Sequence, residues 1–154
     1  MLMRIVLAGL HLVALGLGLG AVLARGAALR DELDATSLRR AFRADTMWGI
    51  AAALWISTGL WRALAETEKS LGYYLSNHVF LGKMAMLGVI LLLEIWAMAA
   101  LIRWRRALAR GVPPAEVADP AVARRIATIS HVQALVVVMM VFAAVAMARG
   151  YGAR

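Results

Sequence analysis

Four long apolar runs, joined by short connections rich in arginine, constrain this chain more than any other feature. They fall at residues 5–24, 46–61, 79–102 and 126–147. A bilayer core of ~30 Å takes ~20 helical residues. The second run is short, but Ser37 is read as the cap of a helix that enters it through Leu38–Asp45. Apolar residues make up 63% of the 154, and mean hydropathy is +0.77. No soluble domain of this size hides so much apolar surface, whereas lipid takes the excess. The expected fold is all-α: one domain over residues 1–154, an integral membrane up-down four-helix bundle. The first run exceeds the ~7–15 apolar residues of a cleaved leader and carries His11, so it reads as a retained span.

The connections set the expected orientation. Arg25, Arg30, Arg39, Arg40 and Arg43 follow the first run, and Arg103, Arg105, Arg106, Arg110, Arg124 and Arg125 follow the third. The other side has Arg4, Arg62, Lys69, Arg149 and Arg154, so the cations divide eleven to five. Cationic loops stay in the cytoplasm, which predicts N-out and C-out in a bacterial inner membrane. Trp61, Tyr73 and Tyr74 suit the outer interface and Trp104 the inner one. Short connections predict that sequential helices are antiparallel neighbours. Asn77 caps the third helix, Gly111 with Pro113 and Pro114 ends it, and Asp119–Pro120 opens the fourth.

Several classes of chemistry are excluded. Cysteine is absent, so there are no disulfides, thiolate metal sites or thiol nucleophiles. No P-loop, GxSxG or HExxH occurs. The charge of +8 sits at membrane ends, where it marks topology and anionic lipid contact rather than nucleic-acid binding. Met84, Met86, Met98, Met139, Met140 and Met147 lack a tight MxxM cluster, and they read as helix packing rather than a copper site.

Ionisable groups inside a span are costly and usually face the bundle interior. His11 lies ~10 Å inside Arg4 and Lys83 ~9 Å past Asn77, which makes an outer polar level. Glu94 and His131 make an inner level, and a lone carboxylate there needs a partner such as His131. His78 stands at the outer mouth of the third helix. His11, Ala14 and Gly18 share a face, and such small residues leave room for a flat macrocycle or for a neighbouring helix. Gly16 and Gly20 form a GxxxG, a candidate contact between copies of the chain.

The segments FRADTMWGIAAALWISTGLWR (42–62), YYLSNHVFLGKMAML (73–87), LIRWRR (101–106) and MARGYG (147–152), with LHLVAL near the N-terminus, resemble the bacterial membrane family catalogued as domain of unknown function 2214. The chain departs from that pattern near the end of the first helix, where it carries Ala24 and Arg25 in place of a common carboxylate. The family is distantly similar to HemJ-type protoporphyrinogen oxidases and CopD-type copper-resistance proteins. His11 and Lys83 match the first-helix histidine and third-helix lysine of HemJ proteins, which bind haem b. The stretch Arg124–Gln133 places His131 near a glutamate of that family's fourth helix, without its proline.

The resemblance implies a b-type haem or porphyrin redox protein. His11 would be the iron ligand, with Lys83, His78 and Gly18 around the cofactor. Lys83, Glu94 and His131 would handle protons, and the substrate would be a porphyrin or a quinone. The alternatives are copper or small-solute transport, and a non-catalytic membrane scaffold or partner subunit.

Overall fold

The computed structural model describes residues 2–65 and 70–152. Lys69 and Arg154, two of the cations counted above, lie outside them. Four long helices dominate: α1 (Leu2–Ala28), α2 (Ala35–Leu64), α4 (His78–Ala109) and α6 (Pro120–Ala148). Two short ones, α3 (Leu71–Ser76) and α5 (Pro114–Val117), sit in the connections. The long helices have 27, 30, 32 and 29 residues, or ~40–48 Å each at ~1.5 Å per residue. Three of them, α1, α4 and α6, are long and apolar enough to cross a membrane. α2 is as long, but Arg39, Arg40, Arg43 and Asp45 interrupt its first turns and dilute its apolar character.

The long helices α2, α4 and α6 begin where a side chain can satisfy their free amides. Asn77 Oδ1 accepts from the amides of Val79 and Phe80, and Asp119 Oδ1 from those of Ala121 and Val122, with Pro120 in the first turn. The cap of α2 is Asp34, not Ser37: Asp34 Oδ1 takes the Ser37 amide at 2.7 Å. That bond holds the Asp34 carboxyl below its ordinary range. Gly111, at φ +84°, ends α4 as expected.

Contacts along each pair fix the directions. Gly59 meets His11 and Gly18 meets Trp48, so α2 runs back along α1. Gln133 meets Ile90 and Glu94, while Asn77 meets Tyr151, so α6 runs back along α4. α1 also packs against α6. The expectation that all sequential helices are close neighbours fails at α2 and α4, whose backbones scarcely approach one another. Hydrogen bonds between them, from Trp48 to Glu94 and from Arg105 to Phe42, Asp45 and Thr46, lie towards the arginine-rich end.

The interior is two apolar clusters built largely from alanine. One, at the arginine-rich end, gathers Ala28, Leu38, Ala41, Leu101, Trp104 and Ile126. The other, towards the termini, gathers Ala14, Val22, Trp48, Trp55, Ile90 and Val137. Small residues let helix backbones come close where no hydrophobic drive separates protein from solvent. Trp104 belongs to the first cluster at 7% exposure, so it is a core residue rather than an interfacial anchor. Leu12, Leu92, Ile95, Leu135 and Phe142 point outward, as a lipid-facing surface requires.

Candidate functional site

Between the two apolar clusters lies a layer of polar side chains centred on Arg25. The apolar run ends at Ala24, which placed Arg25 in a connecting loop. In the structure α1 continues through Arg25-Gly26-Ala27-Ala28, and the guanidinium is fully buried. A buried cation is tolerable only when paired and hydrogen-bonded. All five guanidinium N–H groups are used. Nε donates to Ser130 Oγ, Nη1 to Asp45 and Glu94, and Nη2 to Glu94 and Gln133. The two bonds to Glu94, at 2.8 and 3.0 Å, form the parallel fork that makes such pairs strong. One side chain of α1 therefore grips α2, α4 and α6 together.

The partners are saturated in turn. Glu94 Oε2 also accepts from Trp48 Nε1 and Gln133 Nε2. Gln133 spends its second N–H on the Ile90 carbonyl, which fixes the orientation of its amide. Ser130 donates back to the Ile126 carbonyl. Asp45 keeps its second oxygen for Arg105, whose guanidinium also lies over the Phe42 ring. Two arginines and two carboxylates leave the layer formally neutral, as low-dielectric surroundings demand.

The expected pairing of Glu94 with His131 does not occur; Arg25 takes the carboxylate instead. His131 turns its Nδ1 to the Ala127 carbonyl one turn back. Its ring lies against Gly26, where an added Cβ would sit 2.7 Å from His131 Cε1.

Towards the termini, His11 has its own seat on α2. Its Nδ1 lies 3.0 Å from Thr58 Oγ1. The Thr58 hydroxyl has one proton, already committed to the Leu54 carbonyl at 2.7 Å, so His11 Nδ1 must donate. The lone pair is therefore on Nε2. Gly59 leaves space for the imidazole, since a Cβ there would lie 3.0 Å from Cε1. The Trp55 ring stands 5.9 Å away, and its Nε1–H is buried with no acceptor among the described residues. Lys83 on α4 and Arg62 near the end of α2 are half-buried. The structure unites His11, Trp55 and Thr58 at the outer polar level. His78 is exposed at the start of α4, where its amide donates to the Gly152 carbonyl.

Gly18 and Ala14 do not open onto a cavity. Trp48 and Ala51 cover Gly18, at 3.2 and 3.3 Å from an added Cβ. The cleft left among Ala14, Gly18, Trp48, Trp55 and Val137 holds about 10 Å³, roughly one water. The donors here suit a haem, since His11 Nε2 offers a lone pair and Lys83 and Arg62 offer positive charge for propionates. The space does not: no macrocycle fits inside the bundle at that face. Among the described residues, no three His, Cys, Asp or Glu side chains gather as a metal site.

These features define a helical multi-pass membrane protein with a buried ion-pair layer at one depth and an unmatched Trp55 Nε1–H at another. The chain belongs to the family described as Predicted membrane protein (DUF2214), which it matches over residues 3–152. No curated protein and no solved structure matches it. The segments that carry the family pattern have visible jobs. In FRADTMWG, Asp45 and Trp48 belong to the ion-pair layer; in STGLWR, Thr58 and Gly59 seat His11. The terminal RGYG docks on the Asn77 corner, where Asn77 Nδ2 donates to the Tyr151 carbonyl.

Proposed function

We propose that this protein is a four-span, N-out and C-out bundle of the bacterial inner membrane that binds the head group of a lipid-soluble quinone at its outer polar level. The observation that carries the reading is the Trp55 Nε1–H, buried without an acceptor beside His11. A buried donor left unmatched costs about 1–3 kcal/mol, and a carbonyl oxygen of a bound ring would supply the match. The half-buried Lys83 offers a second donor to such a ring. The seam between α2 and α4 supports lateral entry from lipid, because those helices are held together mainly at the far end, and the head group enters only as that seam parts, since the cleft beside Trp55 holds about 10 Å³ when closed. In this reading α2 spans despite its diluted apolar character, since its charges lie in its first turns and Asp45 is paired.

The ion-pair layer is the clasp that holds the four helices while the outer level works. Glu94 and His131 then have structural rather than proton-relay roles. A haem b reading draws on His11 Nε2 and on the likeness of His11 and Lys83 to HemJ-type residues. It would place the ring outside the bundle interior.

The test is titration of a soluble-tail ubiquinone analogue into the purified protein in lipid nanodiscs, followed by tryptophan fluorescence. Saturable quenching is expected, weakened at least ~10-fold in His11→Ala and in Lys83→Met, the loss of about one charged or well-placed hydrogen bond. Identical quenching in wild type and both variants would sink the quinone reading. A Soret band in protein expressed with haem supplied, absent from His11→Ala, would favour haem b instead.

A further inference from the structure

The opposite end of the bundle carries a groove of its own. The turn after α1 and the first turns of α6 enclose an open groove of about 570 Å³. Its floor is apolar, from Leu29, Leu33 and Ala123. Its rim carries Arg30 and Arg124, with the Thr128 hydroxyl beside them. Neither Arg30 nor Arg124 forms an ion pair with a described residue, so neither has spent its charge. Arg125, the next residue on α6, lies over the Trp96 ring and leaves Arg124 as the cation facing this groove.

Two uncommitted guanidinium groups above an apolar floor match a molecule that is anionic at one end and oily at the other. Guanidinium forks suit phosphate oxygens, and basic pockets between helices on the cytoplasmic side are where anionic lipid head groups collect. The carboxylate of Asp31 stands on the same rim. It repels a second phosphate but accepts hydrogen bonds from hydroxyl groups. We propose that this groove holds an inner-leaflet phosphatidylglycerol. Its phosphate lies between Arg30 and Arg124, its head-group hydroxyls face Asp31, and an acyl chain crosses Leu29 and Leu33. Which leaflet supplies the lipid rests on the orientation proposed above; the site itself does not depend on the quinone reading and is tested at the other end of the molecule.

The experiment is native mass spectrometry of the full chain from detergent micelles containing phosphatidylglycerol or phosphatidylcholine. Wild type is expected to retain one phosphatidylglycerol in preference to phosphatidylcholine. Arg30→Gln with Arg124→Gln should weaken that binding ~30-fold, the sum for two surface cations. Arg103→Gln with Arg106→Gln, at the same end but away from the groove, should change it less than ~3-fold. All four arginines are exposed, so melting temperatures should stay close to wild type. Equal loss in both double variants, equal retention of phosphatidylcholine, or complete displacement by millimolar inorganic phosphate would each overturn the proposal.

Discussion

Replacing Arg25 with methionine tests the ion-pair layer directly. The substitution keeps an unbranched chain of similar length in α1 but strips five hydrogen bonds from Ser130, Asp45, Glu94 and Gln133. The charge centres of a forked pair lie ~4 Å apart, worth about 4 kcal/mol at an effective dielectric of ~20. Removing one partner of a buried pair costs about 3–5 kcal/mol, because the survivor keeps its charge without compensation. Glu94 retains Trp48 and Gln133 as donors, and Asp45 retains Arg105, so the expected loss is nearer 3 kcal/mol. Glu94→Met alone should cost about as much. The double variant, which removes both charges, should recover at least ~2 kcal/mol of the summed loss. Reversible unfolding in mixed micelles reads all three. A single-variant loss below ~0.5 kcal/mol, or strict additivity in the double, would refute the argument that this layer binds the four helices.

Other substitutions probe neighbouring features. Trp55→Phe should stabilise the ligand-free protein by about 1 kcal/mol in the same unfolding assay, since it deletes an unmatched buried donor; the same variant should bind the quinone analogue more weakly. Gly26→Ala should cost about 1–3 kcal/mol through its clash with the His131 ring, and His131→Ala added to it should relieve most of that loss. Gly16→Leu and Gly20→Leu should leave stability unchanged, because nothing lies within 4 Å of an added Cβ at either position, and should remove any chemically crosslinked dimer that the wild type forms. The depressed Asp34 carboxyl stabilises the start of α2 above its ordinary value of 3.8, and that support is lost as pH falls through the lower folded value. Protection of the amides of residues 35–38, taken relative to their intrinsic exchange rate at each pH, should therefore fall in acid in the wild type but not in Asp34→Asn, which keeps the cap without the titration.

The helices were legible because lipid imposes a long apolar run and caps impose their own residues. Asn77, Gly111 and Asp119 acted where their chemistry pointed. The helix through the arginine-bearing turns Leu38–Asp45 was expected from a cap at Ser37, and α2 differs only in starting three residues earlier, at Asp34. Glu94 was visible as a carboxylate in need of a partner, but the partner was hidden among the cations that set topology. One signal was available. Gly26, Ala27 and Ala28 after Arg25 contain no helix stop, so the helix could carry that arginine inward. Ser130, Gln133 and Trp48 gave no warning, because neutral polar side chains are common at helix contacts and only the fold shows what they face. His11 was visible as a histidine inside a span, whereas the role of Thr58 and Gly59 in seating the imidazole depends on the register of α2 against α1.

The docked terminal segment bears on how the protein is made. The Asn77 corner at the head of α4 is completed by the carbonyls of Tyr151 and Gly152, the latter at φ +83°, where a side chain would strike Val79 and Asn77. Those residues emerge from the ribosome more than seventy positions after the corner they close. During synthesis the head of α4 therefore stays unsealed until the residues that follow α6 have been made.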